Sequence, residues 1–368
     1  MIRVSVIVPM YCAKSVMEPC VSALLRQGLE EMEIILVDDC SPDDTYEYAC
    51  RIYQDNPKIR VLQAAQNGGP GLARNRGLEE ARGEYVCFCD IDDCYRDNAV
   101  RTMYEEAVRF HADVYATTEV YMTVVKSLPD DLSAIPEESL LRFGFVPPEE
   151  ALDEETPDIA GDMKSRMDGW LNHLYHWSSI GKLYRRAFLN EHKIRFQNLR
   201  IAEDQLFVLD NLIHADVYVS QNKCLYIMRT GLVDSITRGK KTPRVFVNAL
   251  QSLFESLDCM DHVFRGIPFF EEHPEYRQKL TDLQVEIIEQ KFCIPKYQEF
   301  GRDLLTKDEE VGKVFTRYFG SAGDFVEKTL FDSYDQKPAV ESNHYDGDGL
   351  YEKLKQCREA SPYLCARS

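Results

Sequence analysis

The chain has 368 residues, 44% of them hydrophobic and 29% charged, which suffices for one large domain with an appendage or for two domains with ordinary cores. A net charge of −19 sets the surface against phosphate backbones, which excludes nucleic acid as a macromolecular partner and leaves membrane contact only to a small local patch. No run reaches the roughly 18 apolar residues of a membrane span, and the twelve cysteines lack zinc-binding spacing and point to a reducing cytoplasm.

The elements alternate from the start. Val4–Val8 is a β-branched run closed by Pro9, and it reads as a strand rather than a signal peptide. A helix containing Val16, Val21, Leu24 and Leu25 follows, then a second strand, Glu33–Val37, that ends in Asp38 and Asp39. Another helix over Thr45–Tyr53 and a third strand, Ile59–Leu62, lead to the glycine-rich turn Asn67–Gly71 and a helix from about Leu72 to Arg82. Glu84–Cys89 is the fourth strand, and it runs into Asp90-Ile91-Asp92-Asp93. Short apolar strands separated by helices predict a parallel sheet covered on both faces, with ligands outside the carboxyl ends of the strands. One rim would then carry Pro9–Tyr11, Asp38–Asp39 and Asp90–Asp93.

Residues 127–168 are crowded with prolines and acids, as in Pro147-Pro148-Glu149-Glu150, and read as a surface insertion or lid. A regular pattern resumes near Trp170 and lasts to about Arg238, which bounds a first domain at residues 1–240. Tyr184 and Phe188 read as packing residues of one helix face. Beyond, in a helical extension over 241–368, Val245–Leu257 and Tyr276–Phe292 are amphipathic, and the last thirty or so residues carry weaker signals. These helices could be plain core, pair with a second copy or a partner enzyme, or cover an acceptor site.

Carboxylates at the end of a buried strand repel one another unless a cation or hydrogen bonds offset the charge. For Asp90–Asp93 the choice lies between a divalent ion and a helix cap. Glycines ahead of a helix let backbone amides approach a phosphate, with Arg74 or Arg76 adding charge, although an ordinary loop and a solvated basic face would look the same. Other nucleotide schemes fail. Pro9–Ser15 contains no glycine for a dinucleotide fingerprint, and no Walker A, His-Glu-x-x-His or Gly-x-Ser-x-Gly string occurs.

Seven strings in order resemble family 2 glycosyltransferases, which have the GT-A fold: Val6–Tyr11, Leu36–Asp43, Ala73–Gly77, Asp90–Asp93, Gly181–Arg186, Ala202–Phe207 and Asp234–Thr237. The resemblance implies an α/β GT-A fold, a nucleotide-sugar donor (UDP favoured) and a saccharide or lipid-linked saccharide acceptor of a surface polysaccharide or glycolipid. It also implies Mn²⁺ or Mg²⁺ as cofactor, and a cytoplasmic enzyme that meets its acceptor in solution or at the inner membrane face. By this resemblance Pro9, Tyr11 and Asp39 border the base, and Asp92 ligates the metal with Asp93 and Asp90 nearby. Asp204 is the catalytic base, oriented by Glu203, and Arg229 and Arg238 lie near the late basic motif that holds the diphosphate. Two strings depart from the family: Cys12 stands where Asn is usual after Pro-x-Tyr, and Met228 stands where Tyr usually precedes the late arginine.

The residue types suit the chemistry independently. A hydroxyl needs a carboxylate to take its proton, and a departing diphosphate needs cations. One base opposite the leaving group implies inversion. His176 and Trp177 could line an acceptor cleft or belong to the core. A nucleotidyltransferase would usually open with a glycine-rich first loop, which is missing, and a non-catalytic scaffold would not need Asp92, Glu203 and Asp204 together.

Overall fold

Runs of β-branched and aliphatic residues with no polar alternation can satisfy their backbones only inside a sheet covered on both sides. In the computed structural model, which describes residues 1–123, 140–144, 158–229 and 243–336, such runs build the sheet of the first of two compact units. That unit comprises Met1–Asn198 and Glu203–Arg238, and the second comprises Leu199–Ala202 and Gly239–Ser368.

The first unit runs β1 (Val4–Met10), α1 (Met17–Leu25), β2 (Met32–Asp38), α2 (Thr45–Tyr53), β3 (Ile59–Gln63), α3 (Pro70–Glu80), β4 (Tyr85–Phe88) and β5 (Cys94–Tyr95). It continues with α4 (Ala99–Phe110), β6 (Val114–Thr123), β7 (Leu141–Gly144), β8 (Asp158–Ile159), α5 (Met163–Leu171), β9 (Lys182–Arg185), α6 (Arg186–Glu191), α7 (Glu203–His214) and β10 (Tyr218–Arg229). All strands join one sheet in the order β3-β2-β1-β4-β9-β6-β10-β5, with β7 on β6 and β8 on β10. The expected parallel set, β3-β2-β1-β4, is present, as is a parallel β6–β10 pair. The sheet as a whole is mixed, because β9 enters antiparallel between β4 and β6.

Register fixes the rim. Met10 pairs with Asp38 and Ile7 with Phe88, so Tyr11, Asp39 and Asp90 leave the sheet from the same edge. Strand order reverses at β1, between β2 and β4, which is where open α/β sheets leave a crevice for ligands. Helix α3 lies against β1 closely enough that a Cβ on Gly77 would stand 2.4 Å from Ile7 Cγ2. Only glycine fits there.

Tyr184 corrects the expectation of a shared helix face. It is buried on β9 while Phe188 is buried on α6, since Lys182–Arg185 is held extended by strands on both sides. Cys87 on β4 and Cys89 just after it are buried, Cys89 with its Sγ 3.8 Å from that of Cys20.

The second unit is helical: α8 (Pro243–Phe264), α9 (Pro268–Glu272), α10 (Pro274–Ile288), a π-helical turn over Glu289–Cys293, α11 (Ile294–Phe300), α12 (Arg302–Leu305), α13 (Glu309–Phe319) and α14 (Gly323–Gln336). Its core is aromatic, with Phe246, Phe254, Phe315 and Phe331 buried, and Asp308 caps α13 through the amides of Glu310 and Val311. Among the described residues no helix is long and apolar enough to cross a membrane. Most of the acidic insertion over 127–168, the Asp234–Thr237 string, Arg238 and the weak C-terminal stretch lie outside the described residues.

Candidate active site

Helix α3 begins at Pro70 behind Gly69, whose φ of 88° is open to glycine at little cost. The amides of Gly68 and Gly69 donate to the two carboxylate oxygens of Asp39, at 2.9 and 2.7 Å, and Asn67 Nδ2 donates to the Asp39 carbonyl at 3.1 Å. The Gly68 and Gly69 amides, which a phosphate cradle would use, are thus engaged by a buried carboxylate. Arg76, the other candidate for that cradle, pairs with Glu79 and Glu80 on an exposed helix face. Tyr11 is 47% exposed at the end of β1, beside Asp39. Cys12 and Cys40 follow β1 and β2 with φ of 50° and 57°. An asparagine tolerates that left-handed conformation better than a cysteine does, which gives a physical sense to the family's usual Asn after Pro-x-Tyr.

Arg74 is the centre of the site. Its guanidinium is 3% exposed and donates to Asp90 (2.7 Å), Asp204 (2.9 Å) and Glu203 (3.3 Å). The Phe196 ring lies 5.2 Å from the guanidinium carbon and is itself stacked on Phe207. The next residue of α3, Asn75, fixes Phe196 by bonding both its carbonyl and its amide, at 2.8 and 2.9 Å. The string Arg74-Asn75-x-Gly77 thus has three jobs on one helix: a cation among carboxylates, a clamp on the ring beneath it, and a close approach to β1. Burial alone would lower the arginine's pKa, but Asp204, Asp90 and Glu203 override it and raise the group.

Glu203 and Asp204 open α7, where the positive end of the helix favours acids. The Asp204 carboxylate accepts from Arg74, from Ser178 Oγ (3.1 Å), and from the amide (3.1 Å) and Oγ (3.0 Å) of Ser179. Glu203 is buried, and desolvation with Asp204 beside it pushes its pKa from 4.5 up to about 8, against the pull of Arg74. Because the folded value exceeds the unfolded one, the stability this group contributes is full below its unfolded pKa and is lost as pH rises through the folded pKa. Glu203→Gln should therefore melt higher than wild type at about pH 8.5 and lose that advantage towards about pH 4. Equal or lower melting temperatures at the alkaline end would count against a buried, proton-holding Glu203.

The Asp90–Asp93 turn is tied to β10. Asp93 is buried, and its oxygens accept from the Arg229 amide (2.8 Å) and the Tyr226 hydroxyl (3.0 Å), which in turn accepts from the Asp90 amide at 3.0 Å. Arg229 Nε donates to the Asp92 carbonyl. Both oxygens of Asp93 are thus occupied within the protein, while Asp92 and Asp90 beside it are partly exposed. Burial and Asp90 raise the Asp92 pKa, and burial with Asp92 and Asp90 raises that of Asp93.

His176 is buried, and desolvation together with Lys182 holds it neutral by lowering its pKa; Trp177 is half-buried, with the two rings 5.8 Å apart. Sequence reasoning missed Ser178, Ser179 and Lys182. The one signal was their place ahead of and within the Gly181–Arg186 string.

The chain is similar to known proteins in sequence and in fold. Residues 5–175 match the family described as Glycosyl transferase family 2. The chain is 32% identical over 227 residues to the uncharacterized glycosyltransferase EpsJ of Bacillus subtilis, covering 61% of this chain and 60% of that one. It is 29% identical over 231 residues to the poly(ribitol-phosphate) beta-N-acetylglucosaminyltransferase TarS of Staphylococcus aureus, covering 61% of this chain and 35% of TarS. The alignments thus span less than two thirds of EpsJ and about a third of TarS. The crystal structure of S. aureus TarS 1-349 in complex with UDP-GlcNAc superposes with a TM-score of 0.53 at 23% identity, over 94% of this chain and 95% of that one. The rim carboxylates, the matched segment and the shared fold lead to one conclusion: residues 5–175 are similar to glycosyltransferase family 2, and the chain has the GT-A fold.

Proposed function

We propose that the chain is an inverting glycosyltransferase that moves a sugar from a UDP-sugar or a related nucleotide-diphosphate donor onto a hydroxyl of a saccharide or lipid-linked saccharide, in polysaccharide or glycolipid synthesis. The observation that carries this reading is the joining of Asp90 and Asp204, from two distant strings, through one buried guanidinium. A displacement needs a proton acceptor at one end and charge compensation at the other, and this arrangement sets candidates for both side by side. The naming of TarS as an N-acetylglucosaminyltransferase, and its complex with UDP-GlcNAc, support a UDP donor here.

In this reading the acceptor hydroxyl gives its proton to Asp204 as it attacks the anomeric carbon from the face opposite the leaving diphosphate. Glu203, with a pKa near 8, holds a proton at neutral pH and so orients rather than accepts. Tyr11, Pro9 and Asp39 edge the base. Arg229, and Arg238 beyond the described residues, balance the diphosphate. Trp177 offers a half-exposed ring face to the acceptor sugar, with His176 packed against it. The enzyme would work in the cytoplasm or at the inner membrane face.

Asp92 and Asp90 suit a hard divalent cation, Mn²⁺ or Mg²⁺, because both are oxygen donors, and burial together with the Asp90 charge raises Asp92. Among the described residues no three His, Cys, Asp or Glu side chains form a ready-made metal cage, so the remaining ligands would be diphosphate oxygens and water. Such an ion supplies charge neutralisation of the leaving group.

Calorimetry of UDP, GDP, CDP and dTDP with and without Mn²⁺, beside Asp92→Ala, tests the reading. Metal-dependent binding of one nucleotide that the variant loses is the expected result. Binding of none of the four in either condition would overturn the donor assignment.

A further inference from the structure

The Asp204 carboxylate is aimed by Ser178 and Ser179, and what holds those two serines lies one strand away. Lys182, the first residue of β9, is wholly buried and donates from Nζ to the Ser178 carbonyl at 2.6 Å. Two residues on, the Tyr184 hydroxyl donates to the Ser179 carbonyl at 3.2 Å. Between the serines and β9 the chain turns at Gly181, with φ 65°, and the Gly181 carbonyl accepts both the amide and the hydroxyl of Thr117, each at 2.9 Å. The backbone carbonyls of the serine pair are therefore gripped from the sheet, while the Ser178 hydroxyl and the Ser179 amide and hydroxyl all point at Asp204.

A lysine is a costly way to grip a carbonyl. Burying an ammonium disfavours its charged form, and here desolvation lowers the Lys182 pKa to about 7 although Asp204 pulls it up. The charged and titratable groups facing it are Asp204 at the start of α7 and His176, whose own pKa Lys182 helps to depress. A tyrosine already holds the neighbouring carbonyl without charge, so packing alone does not call for an amine in this place.

We propose that Lys182 is a positioning residue for transfer: through the Ser178 carbonyl it fixes the serine pair that sets the direction of the Asp204 carboxylate. The inference rests on Asp204 being the base. It adds to that reading a residue that touches neither donor nor acceptor.

The test compares wild type, Lys182→Met and Asp204→Asn as full-length proteins. Turnover is read as nucleotide release from whichever of four nucleotide sugars (UDP-, GDP-, CDP- or dTDP-linked) wild type hydrolyses fastest, water serving as acceptor. Methionine fills the lysine's volume without a charge to desolvate, so the variant should fold. Its kcat should fall about ten- to a hundredfold, the loss expected from misaiming a reacting group by a fraction of an ångström to an ångström. The donor KM should stay within about threefold, and the limb of the kcat–pH profile set by Lys182 should disappear, leaving the one that Glu203 sets near 8. Packing loss alone would leave that profile unchanged. Lys182→Gln, whose amide stops one bond short of the Ser178 carbonyl, covers the case in which the methionine variant does not fold, and the same kcat loss is expected of it. A folded variant with wild-type kcat and an unchanged profile overturns the proposal while leaving the base in place, provided Asp204→Asn is dead in the same assay. If Asp204→Asn is active, the base assignment falls and the proposal with it.

Discussion

Asp204→Asn should lower transfer by about a hundredfold to ten-thousandfold, the usual range for removing a general base, while donor affinity measured by calorimetry changes little. The structure adds a stability cost to this expectation. Of the four donors on the carboxylate, the serine hydroxyls can rotate, but the Arg74 guanidinium on one oxygen and the Ser179 amide on the other cannot reverse. An asparagine satisfies only one of the two, and its NH₂ faces a donor on the other side. Leaving such a buried group unmatched costs roughly 1–3 kcal/mol. A lowered melting temperature with intact nucleotide binding and lost turnover is thus the full expected pattern. Turnover above about a tenth of wild type would sink the assignment of Asp204 as base.

Much of this site was legible in the sequence because it is local. Val4–Met10, Met32–Asp38 and Tyr85–Phe88 are apolar runs with acids at their carboxyl ends, and parallel pairing leaves those acids no place but the rim. What escaped reading is what depends on contacts between distant residues. The glycine turn looks like a phosphate cradle until Asp39 is found bonded to its amides, because nothing in Asn67–Gly71 records that partner. Likewise, Arg74 reads as a free cation beside Arg76, and only the fold separates them, one buried among acids and the other on an exposed face. The strand Lys182–Arg185 has too short a pattern to declare itself: its tyrosine reads as a packing residue of a helix, and nothing in the string marks its lysine as buried. Asp93 reads as part of a metal string, yet its partners, Tyr226 and Arg229, come from a strand more than a hundred residues later.

Arg74→Met separates the two readings of that arginine. If Arg74 chiefly binds the donor diphosphate, its loss weakens nucleotide affinity and leaves stability nearly unchanged. If it chiefly neutralises Asp90, Glu203 and Asp204, as its burial and its three bonds indicate, its loss leaves three acids together without a cation. Removing one partner of a buried ionic cluster costs on the order of 3–5 kcal/mol, so urea unfolding at neutral pH should show a loss of that size. The sign of the pH dependence follows. Without Arg74 the main pull against the burial and the Asp204 charge that already raise Glu203 is gone, so the stability this group allows is present at low pH and lost as pH increases. The deficit against wild type should therefore widen as pH rises through about 8, where Glu203 gives up its proton in the wild type. Arg74→Lys keeps the charge but cannot reach three carboxylates with one planar fork, and should fall between the two. A methionine variant within about 1 kcal/mol of wild type at pH 8, well below the cost of breaking a buried pair, would remove Arg74 from the centre of the site and return it to the donor.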